Sequence, residues 1–364
     1  MRAYAEINLS AVRSNIRVIE QNIGRSIDII AVVKSDAYGH GITEIVKTID
    51  SFESIKTYAV NTIEEADKVA AQTSKDILVL GYLDNKEILD AIDSNYIISL
   101  YDKEQLLQIE RIGERINQVV RVQLKIETGL NRLGFSVEEA EDFLLNQDRY
   151  KHVKTEAIFS HLYKASSSVD SAKQFQILQE LISKVSSKIE PLPMHLCSSY
   201  SLGHFKQGYL DAVRLGLALY GVDSVLPNLE PSFSVKSQIM QLKKIHKGDG
   251  VSYGHLFIAQ KDMTIGVANI GYADGLSQCF KGKMNVLVRG KKTPVLGQIC
   301  MNHIIFDLSD IECKRGDEVV IIGKQKANDD SEAQILVAEL ASDVGIRHHE
   351  IITRLGTILP RVYQ

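Results

Sequence analysis

Ile29-Ile30-Ala31-Val32-Val33-Lys34-Ser35-Asp36-Ala37-Tyr38-Gly39-His40-Gly41 is the stretch that decides the fold. Its first part, Ile29–Val33, is a pure apolar run and reads as a buried strand. A glycine-containing loop follows, and then Ile42, Ile45, Val46 and Ile49 recur at the spacing of one helix face. The same alternation continues down the chain. Further strand candidates lie at Thr57–Val60, Ile77–Leu80, Tyr96–Leu100, Val119–Ile126, Val153–Phe159, Leu192–Leu196 and Ala212–Leu215. Between most of them run amphipathic segments such as Glu64–Ala71, Glu104–Ile112, Val137–Leu145 and Ala172–Ile182. Strands separated by helices imply a parallel sheet. Eight units in about 220 residues fit a closed (β/α)8 barrel of the TIM type better than an open sheet.

The texture changes after Tyr220-Gly221. Val222–Pro231 is a loop with two prolines, and short alternating segments with glycine turns then run from Phe233 to about Gly323. One helical stretch, Ile335–Val344, interrupts them. The expected organisation is an α/β barrel over residues 1–228 and a mainly β domain over 229–364. A chain of 364 residues favours two domains on length alone.

Composition narrows the class of function. Forty-two Lys+Arg against 46 Asp+Glu leave a formal charge of −4, and hydrophobic residues make up 45%. That balance excludes global disorder, and no long basic block supplies a surface for nucleic acid. Cys197, Cys279, Cys300 and Cys313 contain no CxxC pair, which argues against a zinc ribbon or disulfide framework and for a reducing compartment. No metal site is expected. The opening Met1-Arg2-Ala3-Tyr4-Ala5-Glu6-Ile7 has no signal-peptide pattern, and no apolar run approaches a bilayer span. The expectation is a cytoplasmic chain without membrane contact of its own; the alternative is the cytoplasmic domain of a longer membrane-anchored protein.

Several strings carry chemistry. Lys34 directly follows a buried strand, so it stands at the strand's carboxyl end, where barrel active sites are built. A partly desolvated ammonium there has a lowered pKa and can form a Schiff base. Tyr38 can line the same mouth. A lone Lys in this position would more often be a solvated strand end, but the eleven residues Ala31–Gly41 are far more specific than the Lys alone.

Together with Tyr4-Ala5-Glu6-Ile7-Asn8-Leu9, Val251-Ser252-Tyr253-Gly254, Thr353-Arg354-Leu355-Gly356 and Pro360-Arg361, that string closely resembles the alanine racemase family over essentially the whole chain. The resemblance implies a pyridoxal-phosphate enzyme with an N-terminal barrel and a C-terminal β domain. It further implies that Lys34 carries the cofactor as a Schiff base and acts as one acid/base group. Tyr253 would be the other, reaching into the neighbouring subunit of a homodimer with shared active sites. Racemisation removes a proton from one face of Cα and returns one to the other, so two groups are required.

The resemblance assigns the remaining roles residue by residue. His161, in Phe159-Ser160-His161-Leu162, matches the histidine that hydrogen-bonds the catalytic tyrosine. Arg214, in Val213-Arg214-Leu215-Gly216-Leu217, matches the arginine facing the pyridine nitrogen; a guanidinium is a permanent donor and leaves that nitrogen an unprotonated acceptor. Ser199, Gly216 and Leu217 match the phosphate site, at the seventh and eighth strand ends. Ser198 stands where the family usually has Asn. Arg132, in Thr128-Gly129-Leu130-Asn131-Arg132-Leu133-Gly134, resembles the arginine that helps hold the substrate carboxylate. Lys125 is where many members carry a supporting carbamate. In Gly297-Gln298-Ile299-Cys300-Met301-Asn302-His303 the backbone N–H of Met301 would bind that carboxylate, and Tyr272, in Gly271-Tyr272-Ala273-Asp274-Gly275, would stand at the entrance.

One departure bears on substrate. Asn302 replaces the usual Asp, and an amide both donates and accepts where a carboxylate only accepts. The resemblance implies alanine as substrate, for D-amino-acid supply to peptidoglycan; Asn302 raises the alternative of a serine or dual serine/alanine racemase, the catalytic domain of a vancomycin-resistance-type protein. A non-catalytic pyridoxal-phosphate-binding protein is the reading of a different class. It would not need the C-terminal domain that carries Tyr253 and Met301.

Overall fold

The computed structural model describes residues 3–222, 226–327 and 329–364. Met1-Arg2 at the start and Asp223–Val225 in the two-proline loop lie outside the described residues.

The strand β1 (Tyr4–Ile7) comes first, then a helix Leu9–Ile23, and then eight strands that close on themselves. These are β2 (Asp28–Val32), β3 (Ile55–Val60), β4 (Asp76–Val79), β5 (Ile97–Leu100), β6 (Val120–Lys125), β7 (Val153–Phe159), β8 (Met194–Ser198) and β9 (Ala212–Leu215). All neighbours are parallel, and β9 closes the ring on β2 through Asp28↔Ala212 to Ala31↔Leu215. The (β/α)8 barrel expected from the alternation is present, each expected strand falling on an observed one. Side chains alternate along β2: Ile30 and Val32 join Ala59, Leu78, Ile97 and Ala212 in one small cluster, whereas Ile29, Ala31 and Val33 belong to the large outer core. That is the pattern of a filled barrel with helices packed around it.

The helices start where short polar side chains satisfy free backbone N–H groups. Thr62 caps Ile63–Ala70, while Asp84 and Ser136 form capping boxes with Glu87 and Glu139. Thr62 and Asp84 stand shortly after β3 and β4, whereas the longer segment 126–135 separates β6 from its cap at Ser136 and carries Arg132 to the mouth of the barrel.

The second unit is built on the long strand β10 (Phe233–Ile245), in a nine-stranded sheet. Phe233, Val235 and Ile239 are buried on one face, as alternation requires. The sheet also takes β1, paired antiparallel to β10 with Tyr4↔Lys236 and Ile7↔Phe233, and parallel to the last strand, Arg361–Tyr363. The first strand of the chain thus crosses the expected 228/229 division. The helix expected at Ile335–Val344 occupies Val337–Val344, because Glu332–Ile335 is a strand, and a second helix, His348–Ile358, follows it unanticipated. Among the described residues no helix is long and apolar enough to cross a membrane.

Candidate active site

Lys34 begins a five-residue helical segment, Lys34–Tyr38, at the carboxyl end of β2. Ser35, Asp36, Ala37 and Tyr38 all lie at φ between 52° and 55°, a left-handed turn built without glycine. Each such residue costs about 1–2 kcal/mol, so the turn persists only because its surroundings hold it. His40 does so from within. Its Nδ1–H donates to the carbonyl oxygens of Ala37 at 3.0 Å and Tyr38 at 3.3 Å, and its ring stacks on Tyr220 at 4.1 Å. Burial pushes its pKa down to about 4, so it stays neutral. The C-terminal helix holds the turn from outside: a Cβ on Gly39 would lie 2.7 Å from the carbonyl oxygen of Ile352, and one on Gly356 only 2.3 Å from that of Gly39. Both positions therefore require glycine.

A cavity of about 550 Å³ opens at the carboxyl ends of the strands. Lys34, Tyr38, Lys125, Arg132, His161, Ser199, Arg214, Gly216 and Leu217 all line it, as does Ser198. Among the described residues lining it, four are cationic and none is acidic, so the cavity is built for an anion. The cations press on one another. Burial lowers the Lys34 pKa, with Arg132 and Arg214 adding to the effect and Glu65 opposing it. Lys125, only 7% exposed, is brought down to about 8 by burial first and then by Arg132 and Arg214. An amine with a lowered pKa has more of the free base that attacks a carbonyl.

Arg214, buried on β9, organises the floor. Nη1 donates to His195 Nδ1 at 2.6 Å, and Nη2 donates to the carbonyl oxygen of Ser160 at 2.6 Å and to His161 Nδ1 at 3.1 Å. His195 therefore carries its proton on Nε2, which meets Gln123 Oε1 at 2.9 Å. The same logic places the His161 proton on Nε2. Burial and then Arg214 hold the His161 pKa near 3, so the ring is a neutral donor with a fixed tautomer. Phe159 closes the layer, with His195 stacked on it at 4.8 Å and the Arg214 guanidinium 5.2 Å from its centroid.

At the opposite edge, Ser199 Oγ accepts the backbone N–H groups of Gly216 and Ala218, both at 3.1 Å. A Cβ on Gly216 would lie 2.5 Å from the hydroxyl of Tyr38, so Tyr38 sits where only glycine leaves room. Burial pushes the Tyr38 pKa up to about 12, which keeps its hydroxyl a donor.

Tyr253, Tyr272, Met301 and Asn302 do not line this cavity. They belong to a second group on the β domain. The carbonyl oxygens of Cys300 and Met301 accept the N–H groups of Tyr272 at 3.0 Å and Ala273 at 2.9 Å, and Ser252 Oγ donates to the carbonyl of Gln298 at 3.0 Å. Tyr253 is 71% exposed and Met301 55%. Residues not singled out in the sequence also reach the cavity: Asn61, Leu80, Gly81, Tyr82, Tyr200 and His349. The first four follow β3 and β4, and the rule that every strand end faces the mouth could have found them. His349 comes from the C-terminal helix, and nothing local announces it.

A filled parallel barrel whose mouth gathers a reactive amine, fixed cations and neutral imidazoles defines an enzyme that binds an anionic, amine-reactive ligand. The chain belongs to the alanine racemase family: the model of the family's N-terminal domain matches residues 7–224 and that of its C-terminal domain residues 232–363. It is 30% identical to the alanine racemase of Carboxydothermus hydrogenoformans over 371 residues, covering 99% of each chain. Among solved structures it is similar to alanine racemase from Bacillus anthracis with bound L-Ala-P, with a TM-score of 0.90 and 28% identity, covering 100% of this chain and 95% of that one. It is also similar to alanine racemase from Bartonella henselae with covalently bound pyridoxal phosphate, with a TM-score of 0.88 and 26% identity, covering 100% of both. The chain is accordingly an amino-acid racemase.

Proposed function

We propose that the chain interconverts L- and D-alanine with pyridoxal phosphate at the barrel mouth, Lys34 and the Tyr253 of a partner subunit serving opposite faces of the substrate Cα. The observation that carries this reading is the half-buried Lys34 amine in a cavity that, among the described residues, is lined by cations and no carboxylate. These residues fit the group: an amine for its aldehyde, backbone N–H groups of Gly216 and Ala218 converging at Ser199 for its phosphate, and a gap at Gly216 that a Cβ would fill. Leu217 and Tyr38 border that end. When bound, pyridoxal phosphate supplies an electron-withdrawing ring that acidifies the substrate Cα–H.

The side chains divide the rest of the work. Lys34 takes or gives the proton on the D side and Tyr253 on the L side. His161, with its Nδ1 engaged by Arg214, turns an Nε2–H donor towards the tyrosine and favours its phenolate. Arg214 offers the pyridine nitrogen a charged donor and no proton, which limits side reactions such as transamination. Arg132 and the Met301 N–H hold the substrate carboxylate, Lys125 supports Arg132, and Tyr272 stands at the entrance.

Tyr253, Leu256 and Met301, all exposed on the β domain, support a homodimer in which each subunit completes the other's site. We further propose a division of labour in which residues 1–228 bind the cofactor and 229–364 supply the second acid/base. The biological role would be cytoplasmic supply of D-alanine to peptidoglycan. Asn302, half-buried beside Met301, supports serine as a second substrate. Deuterium incorporation in heavy water tests the two-base scheme. Lys34→Ala and Tyr253→Phe should each abolish racemisation, and near wild-type racemisation by either overturns it.

A further inference from the structure

The left-handed turn that presents Lys34 is held at its first residues by one side chain from a different strand–helix unit. Glu65, in the first turn of the helix Ile63–Ala70, accepts the Ser35 N–H at 2.5 Å and the Asp36 N–H at 3.3 Å on Oε1. Its Oε2 accepts the N–H of Asn61 at 2.9 Å. One carboxylate thus ties the residues that follow β2 to those that follow β3, at the rim of the cavity that Lys34 and Asn61 both line. Neither Ser35 nor Asp36 can satisfy these N–H groups within a reversed turn of this length. An acid at this position does what a helix-capping glutamate usually does for its own helix, but across to a neighbour.

We propose that Glu65 is a positioning residue for Lys34: its carboxylate holds the turn that aims the amine into the cavity and sets a fixed negative charge at that turn, on the cavity's rim. The proposal rests on the reading of Lys34 as the reactive amine.

The surroundings make that charge consequential. Arg132 from the loop after β6 and Arg214 from β9 act on Lys34, while Lys125 at the end of β6 and His161 after β7 respond to it. Tyr38, and Asp36 held by Arg361, lie on its own turn. Among the described residues acting on the amine, Arg132 and Arg214 disfavour its protonated form and Glu65 favours it. Removing the charge while keeping the shape should therefore leave the amine less basic, and a purely structural brace would have no such effect.

The test uses holoenzyme carrying Glu65→Gln or Glu65→Asp. The bound cofactor's absorbance is titrated against pH, and borohydride reduction followed by peptide mapping identifies the labelled amine. With the label on Lys34, E65Q should lower the titration midpoint by about one pH unit and kcat about tenfold, with KM within about twofold. E65D, which keeps the charge but cannot span both strands, should hold the midpoint and lower kcat about threefold or more. A wild-type midpoint in E65Q overturns the proposal. If E65Q fails to fold, wild-type kcat or a shifted midpoint in E65D overturns it. A label on another lysine overturns the underlying reading of Lys34 itself.

Discussion

Arg361 Nη1 lies 2.5 Å from Asp36 Oδ2, an ion pair between residues 325 positions apart that fastens the last strand to the turn carrying Lys34. The other oxygen, Asp36 Oδ1, accepts the N–H of Ile42 at 2.8 Å and opens the following helix. Asp36 is held below the usual carboxylate range, these two bonds outweighing the cost of its burial. Asp36→Asn keeps the Ile42 contact and loses the charge. With both partners part-exposed, the expected cost is about 1 kcal/mol, a fall in Tm of about 1–2 °C measured by calorimetry.

Shared active sites make a stoichiometric prediction. Lys34→Ala and Tyr253→Phe homodimers should each be inactive. Mixed and re-annealed, they should recover about a quarter of wild-type racemisation, since random pairing makes half the dimers mixed, each with one intact site. No recovery, with exchange verified by mass spectrometry, places Tyr253 in its own chain's site.

Arg214→Gln should reshape the acid limb of the pH profile. Arg214 is the second-largest cause, after burial, of the low His161 pKa. Without it the imidazole protonates at higher pH, adds a positive charge to the site and makes the tyrosine a weaker base. The acid limb of kcat/KM should move up by about one pH unit.

Acid sensitivity follows from the buried histidines. His40, near 4, and His195, held well below its usual value, are neutral in the fold and titrate normally when unfolded. The unfolded state therefore binds more protons below pH 6.5, so stability is complete above that value and falls as pH drops towards 4, by up to about 1.4 kcal/mol per unit for each histidine. Urea midpoints at pH 7.5 and pH 5 measure it. His40→Gln, which keeps a donor for the turn, should flatten the slope.

Substrate range turns on Asn302. Alanine and serine racemisation measured side by side should show Asn302→Asp lowering the serine/alanine ratio of kcat/KM by about tenfold, the worth of one hydrogen bond. An unchanged ratio removes Asn302 from specificity.

The sequence alone determined the barrel and most of its mouth. Eight apolar runs alternating with helix faces dictate a closed parallel sheet, and position at a strand end singles out Lys34; Lys125, His161, Ser199 and Arg214 are assigned by resemblance to the family, and all stand at or just past strand ends or within β9. Only the tertiary structure decided what holds those residues. The reversed turn at Ser35–Tyr38 contains no glycine of its own, and besides the local His40 the contacts that hold it come from Glu65, Gly356 and Arg361. β1 joins the C-terminal sheet because Tyr4–Ile7 finds its hydrogen-bonding partners in Phe233–Ile245 and Arg361–Tyr363, hundreds of residues away. Local periodicity reports which face a residue turns to its own element's neighbours. It is silent about carboxylates, guanidiniums and strand edges that meet only once the chain has closed on itself.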